Sequence, residues 1–189
     1  MNTAEPGPAG IPVSINIPAG RYAIDPVHSS ILFSTRFVTA RLKGMFTNFS
    51  GTVEIAEDLT DSAIQAEIDV NSLSTGLEAR DAHLRNDDYF DVAHYPLATF
   101  ESTRLSADGE RYTLQGDLAI RGTTLPVELE LHFLGDGHDH YGNFRLGFRA
   151  TTRVSRAAFG VNGNVSQPGG PPLIGDATHL TLEIQATQA

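Results

Sequence analysis

Residues 124–134 read Thr124-Leu125-Pro126-Val127-Glu128-Leu129-Glu130-Leu131-His132-Phe133-Leu134, and from Val127 to Phe133 every second side chain is apolar. A β-strand points successive side chains to opposite faces, so this run predicts a half-buried strand with Val127, Leu129, Leu131 and Phe133 inward and Glu128, Glu130 and His132 outward. The same period recurs on both sides. Upstream, Ile31, Phe33 and Phe37 share one face of residues 29–38, and Ile64, Ala66, Ile68 and Val70 share one face of residues 62–70. Residues 44–56 predict a further strand, bent by a bulge at Gly51. Residues 97–105 and 111–120 predict a hairpin through Asp108-Gly109, whose glycine admits the positive φ of a tight turn. Downstream, Phe144, Leu146, Phe148, Ala150 and Val154 alternate with Arg145, Arg149 and Arg153, and Leu180, Leu182 and Ile184 close the pattern.

One stretch breaks the alternation. Residues 75–96, from Thr75 to Pro96, predict the only helix: Thr75 followed by Glu78 has the spacing of a capping box, Leu77 and Leu84 supply an apolar stripe, and Asn86 is the expected stop. A second turn through Tyr89-Phe90-Asp91 is expected before Pro96 forces Tyr95 extended. About eight main strands, a short helical insertion and no β-α-β repetition place the chain in the all-β class, as an antiparallel barrel or sandwich. Closure into a barrel removes the sheet edges that so apolar a sheet would expose.

Four prolines at positions 6, 8, 12 and 18 mark residues 1–20 as an extended N-terminal arm, with the barrel domain expected over 21–189. Ile11 to Ile17 alternates and is a candidate edge strand, along the body or along a second copy in a homodimer. The chain of 189 residues is long enough for a core without staples, and it contains no cysteine, which excludes disulfides, zinc-thiolate sites and thiol catalysis. A net charge of −10 argues against nucleic acid or an anionic membrane surface as partner. No apolar run is long enough for an integral membrane segment. The first residues lack the basic and apolar regions of a secretory signal, so the expected location is the cytoplasm, or the periplasm or exterior if a leader has been trimmed.

Candidate chemistry is sparse. Asp81, His83, Asp87 and His94 lie close enough in sequence for a metal-dependent or hydrolytic site, yet capping and ion pairs with Arg80 and Arg85 account for the same residues. Gly137-His138-Asp139-His140 offers two imidazoles but no third ligand and reads as a turn. Asp25-Pro26 reads as turn initiation with His28 hydrogen-bonded at a strand start. There is no nucleophile elbow and no phosphate-cradling loop. The reading is therefore no enzyme, no metal and no cofactor. What remains is the apolar face: Phe33, Phe37, Ile68, Phe100, Leu118, Leu129, Leu131, Phe144 and Phe148 each lie on the inward side of a strand, and a closed barrel converges them on one shared cavity.

Several of these stretches carry a resemblance. Leu73-Ser74-Thr75, Arg80-Asp81-x-His83-Leu84, Tyr89-Phe90-Asp91, Tyr95-Pro96 and Phe100-x-Ser102 resemble the core pattern of the YceI-like family of polyisoprenoid-binding proteins. Tyr22-x-Ile24-Asp25-x-x-His28-Ser29 and Gly44-x-Phe46-x-x-Phe49-x-Gly51 resemble its opening. Gly116-x-Leu118-x-Ile120-x-Gly122-x-Thr124 and Arg156-x-x-Phe159-Gly160 resemble its second half, although no acidic residue precedes Phe159 and the Pro/Gly loop 161–175 is long. The resemblance implies a lipocalin-like barrel that carries or stores an amphiphilic isoprenoid, either a polyisoprenoid or an isoprenoid quinone, as a bound ligand inside those nine side chains. Two rival readings stand beside it: an enzyme at the 81–94 Asp/His cluster, and a ligand-free interaction module that uses the arm.

Overall fold

The computed structural model describes residues 17–108, 111–164 and 170–189. Eleven strand segments form one antiparallel sheet: β1 (Gly20–Ile24), β2 (Ser30–Phe37), β3 (Ala40–Phe46), β4 (Phe49–Ile55), β5 (Ala63–Asp69), β6 (Leu73–Ser74), β7 (Leu97–Asp108), β8 (Arg111–Ile120), β9 (Thr123–His138), β10 (Phe144–Ser155) and β11 (Ile174–Gln188). One helix, α1 (Glu78–Arg85), lies between β6 and β7.

The eleven segments fill eight positions around a closed barrel. The ring runs β1-β4-β5-β7-β8-β9-β10-β11 and returns to β1, with Tyr22 opposite Gln188 and Ile24 opposite Ala186. Strand β2 continues the line of β1 along the same β11, from Ser30 opposite Glu183 to Phe37 opposite Ile174. In the same way β3 pairs β2 where β4 pairs β1, and β6 pairs β3 where β5 pairs β4. Three long strands are thus each interrupted once, and each of the eight ring strands has a partner on both sides, while β3 pairs β6 only at Met45 and Phe46.

The interruptions have local causes. At residues 25–29 the Asp25 carboxylate accepts from the Val27 amide (2.9 Å) and meets His28 Nδ1 at 2.7 Å, while the Ser29 hydroxyl accepts from the Gln185 amide (2.9 Å) in place of a ladder bond. Between β5 and β6, a one-turn 3-10 helix (Val70–Ser72) starts on Asp69, whose side chain accepts from the Asn71 amide. Between β3 and β4, the Ser72 hydroxyl accepts from the amides of Thr47 and Asn48.

The period-two reading holds along β5, β8, β9, β10 and β11, where the named apolar residues face the interior. Gly51 is different. Strand β4 pairs β5 without a register shift there, so the expected bulge is absent. A side chain at Gly51 would sit 2.4 Å from the Gln65 carbonyl oxygen and 2.7 Å from Ile24 Cδ1, so close approach of strands is what the glycine permits. The register shifts fall elsewhere, at Ser102/Arg104, Gly147/Phe148 and between Ile174 and Thr178. At the first of these the Ser102 hydroxyl accepts from the Ile64 amide at 2.8 Å, replacing the lost ladder bond.

The helix also forms for a reason other than the expected one. Its N-cap is Leu77, which makes no side-chain cap bond, and Gly76 with φ of +81° turns the chain between Thr75 and the first helical residue. The capping box is therefore not made. Leu77 is 54% exposed, so of the expected apolar stripe only Leu84 packs on the core, against the cluster of Tyr89 and Phe159; the one buried residue of the helix is Asp81. Polar tethers add to this contact: Arg85 donates to the carbonyls of Asn71 and Leu73, and Thr75 donates to Asp81. Asn86 does end the helix, its amide donating to the His83 carbonyl. Gly109 and most of the N-terminal arm, with its candidate edge strand, lie outside the described residues. No helix among them is long and apolar enough to cross a membrane.

Candidate functional site

The barrel is not packed solid. An interior cavity of about 180 Å³ is walled by inward side chains of nearly every strand, and an outer cavity of about 310 Å³ adjoins it at the α1 end. Four residues, Phe46, Phe90, Ile120 and Leu180, border both. Phe46 and Phe90 meet edge to face with ring centroids 6.1 Å apart, forming a collar between the two spaces. The void explains why inward side chains such as Phe33, Phe100, Val127, Phe133 and Phe148 are only partly buried: each lacks neighbours on its cavity side.

The insertion between β6 and β7 builds the collar. After Asn86 the chain makes a tight return, with the Phe90 amide on the Leu84 carbonyl (3.1 Å) and the Val92 amide on the Arg85 carbonyl (3.1 Å). This buries Tyr89 and swings Phe90 over the barrel opening. Arg121, in the β8–β9 turn, donates to the carbonyls of Asp87 and Gly160 and so ties the insertion to the loop after β10.

Of the side chains expected to share one cavity, Ile68, Phe100, Leu118, Leu129, Leu131 and Phe148 line the interior space. Phe33 and Phe37 line the outer one, so the single cavity of the sequence reading is two joined by a collar. Phe144 lines neither. Its ring packs on Tyr22 (centroids 6.4 Å) and on His138 (5.2 Å) in the core.

The two spaces differ chemically. The interior wall is almost wholly Ile, Leu, Val, Phe and Ala, and a cavity lined in this way stays dry. The outer wall adds Arg36, Arg80, His83 and Arg156 to Phe33, Phe37 and Phe159. Burial pushes the Arg156 guanidinium below its ordinary value, against the raising effect of Tyr89 and Asp176. Burial likewise raises the Tyr89 hydroxyl, with Asp88 adding to the shift. The opposite end is held by Arg145, which bridges Asp25 (2.7 Å) and Asp139 (2.8 Å). Arg145 thereby holds the Asp25 carboxyl down at about 2.

The Asp/His cluster of residues 81–94 does not converge. Asp81 turns to Thr75, His83 to Asp88 (3.1 Å) and His94 to Asp91 (2.8 Å). At the end of β9, His138 meets Phe144 edge to face, and in the turn that follows His140 lies on Tyr141 while Asp139 accepts from the amides of Tyr141 and Asn143. Among the described residues no group of three or more His, Asp or Glu side chains has the arrangement to hold a metal ion.

The collar and the outer wall are what alternation overlooked, because Phe46, Phe90, Arg80 and Arg156 sit at strand ends and in the insertion, where period two ends. All four fall inside the motifs quoted for the family resemblance, which was the available signal.

Residues 22–186 match the family model described as YceI-like domain. A UPF0312 protein of Vibrio parahaemolyticus is 32% identical over 184 residues, 93% of this chain and 92% of its own. Among solved structures, Burkholderia cenocepacia BcnA aligns with a TM-score of 0.75 at 22% identity, over 86% of this chain and 98% of its own. A polyisoprenoid binding domain from Saccharophagus degradans, implicated in plant cell wall breakdown, aligns with a TM-score of 0.65 at 17% identity, over 89% of this chain and 98% of its own.

Proposed function

This chain belongs to the YceI-like domain family, and from that premise we propose that it binds an amphiphilic isoprenoid, a polyisoprenoid or an isoprenoid quinone, and carries or stores it in the barrel. The observation that carries the reading is the joining of a dry, almost wholly apolar interior to a polar-edged outer cavity across a collar of two phenylalanines. An apolar chain gains from leaving water for such an interior, whereas a polar head cannot follow it there without losing its hydrogen bonds. At roughly 25 cal/mol per Å2, enclosing several hundred Å2 of tail contributes about 10 kcal/mol before ordering costs. The related polyisoprenoid binding domain supports the same class of ligand.

Binding rather than catalysis is the reading, because Asp81, His83 and His94 turn to Thr75, Asp88 and Asp91 instead of facing a common point. Native mass spectrometry of gently purified protein, with organic extraction of the same sample, tests the proposal. A bound or extractable isoprenoid is the expected result. No such lipid, and no uptake after incubation with farnesol or a menaquinone, would leave a barrel without a carrier role.

A further inference from the structure

The outer cavity carries one sign of charge. The chain as a whole has 23 acidic residues against 13 Lys and Arg, yet the charged side chains lining this cavity are Arg36, Arg80 and Arg156, with His83 beside them and no Asp or Glu. Three arginines elsewhere are paired with carboxylates, Arg85 with Glu78, Arg145 with Asp25 and Asp139, and Arg149 with Glu183, whereas Arg41 and Arg121 bond other groups. Among the described residues none of the three cavity arginines has a carboxylate within ion-pair distance.

Their hydrogen bonds leave the charge in place. Arg156 donates to the carbonyls of Gly175 (3.0 Å), Val161 (2.7 Å) and Gly163 (2.7 Å), which occupy its donors without neutralising it. Arg80 uses Nε on the Thr75 hydroxyl (2.6 Å) and Nη2 on the Thr75 carbonyl (2.8 Å), and its Nη1 has no partner among the described residues. Arg36 spends one bond, from Nη1 to the Val38 carbonyl (2.6 Å). The nearby carboxylates bond other donors, Asp81 with Thr75, Asp88 with His83 and Asp176 with the Ala157 amide (2.9 Å), and of these Asp176 still acts on Arg156 from beyond ion-pair distance. Arg80 and Arg156, both partly buried, therefore stand beside apolar walls, where a fixed positive field is screened less than in open water, while Arg36 is exposed.

We propose that the outer cavity is an oxyanion site: the amphiphile this chain takes has a phosphate or carboxylate head, held by Arg36 and Arg80 in the field of Arg156, with its tail passing the Phe46–Phe90 collar into the interior. A neutral alcohol or quinone gains only hydrogen bonds from such a mouth; an anion also gains charge-assisted bonds from guanidinium donors, which are roughly twice as strong. The inference rests on the carrier reading, since the site is useful only to a ligand whose tail lies in the barrel.

Three probes separate the alternatives by displacement of Nile red from the full chain: farnesyl phosphate, farnesol with the same tail and a neutral head, and dodecanoate with a carboxylate head on an unbranched tail. Farnesyl phosphate is expected to bind at least about tenfold more tightly than farnesol, and the advantage to shrink in high salt. In R36Q and R80Q the ratio of the two affinities falls toward unity; R149Q, on the outer face, leaves it intact. Dodecanoate matching farnesyl phosphate assigns the site to oxyanions generally, and weaker binding of dodecanoate assigns it to the prenyl phosphate. Equal affinity of wild-type protein for farnesyl phosphate and farnesol overturns the oxyanion site alone and needs no variant to fold. Failure of all three probes to displace the dye overturns the carrier reading with it.

Discussion

The carboxylate of Asp81 accepts both hydrogen bonds that Thr75 offers, from its amide at 2.9 Å and from its hydroxyl, and Asp81 is only 3% exposed. Removing the hydroxyl leaves a buried carboxylate short of a donor. Thr75→Ala is expected to cost about 2 kcal/mol in a denaturant titration. Glu78→Ala separates this account from a capping box: Glu78 is exposed and meets only Arg85, at 3.3 Å, so its loss is expected to cost under about 0.5 kcal/mol. Equal losses in the two variants would restore the capping box.

The Thr75 contacts show where sequence and structure part. Thr-x-x-Glu has the spacing of a helix start, but Gly76 uses one residue to turn the chain at positive φ, so the helix begins at Glu78 with Leu77 as its cap. Period two was legible wherever a strand has one wet and one dry face, as in residues 127–133. It could not reveal that β1 and β2, β3 and β4, or β5 and β6 are collinear, because only the shared partner strands show it. Nor could it divide the interior: Phe33 and Leu129 look alike along their strands, and the collar that parts them comes from Phe90, in the insertion.

Gly44 lies opposite Phe33 across β2 and β3, and a side chain there would stand 2.3 Å from Phe33 Cζ. The Phe33 ring lies over the glycine and lines the outer cavity. Gly44→Ala is expected to displace the ring, at a cost of about 1–3 kcal/mol in stability, and to weaken binding of a probe such as farnesol. Thermal melting and dye displacement on the same sample check both halves; unchanged melting and affinity would mean that the ring moves freely.

Arg145 holds the far end through Asp25 and Asp139. Because the Asp25 pKa is lowered to about 2 in the fold, chiefly by the Arg145 hydrogen bond, its stabilising contribution is complete above about pH 4 and is lost as pH falls toward 2. Burial works against the shift at Asp139, but its hydrogen bonds from Arg145 and Asn143 lower that carboxyl too. Arg145→Gln is expected to lower the urea midpoint at pH 7 and to leave a smaller difference from wild type at pH 2 than at pH 7. Urea titrations at the two pH values measure this; a difference that grew on acidification would reverse the assignment.

Leu131 and Glu130 are consecutive on β9 and point to opposite sides of the barrel wall. Leu131 is 8% exposed and borders the interior cavity, whereas Glu130 is outside, 3.3 Å from His132. A lysine at 131 would bring an ammonium into a space lined by no carboxylate, where an uncompensated charge costs several kcal/mol, and the cavity would have to admit water to accommodate it. A tail bound by area then loses the surface that held it. Leu131→Lys is expected to abolish lipid retention and Glu130→Lys to leave it unchanged, read by organic extraction of each purified variant followed by mass spectrometry. Because Leu131→Lys also threatens the fold, Leu131→Ala is the companion: it enlarges the cavity at a stability cost of about 2–5 kcal/mol but keeps the wall apolar, so it should still retain lipid. If the lysine variant stays folded and carries as much lipid as Glu130→Lys, the ligand is not held in the barrel interior.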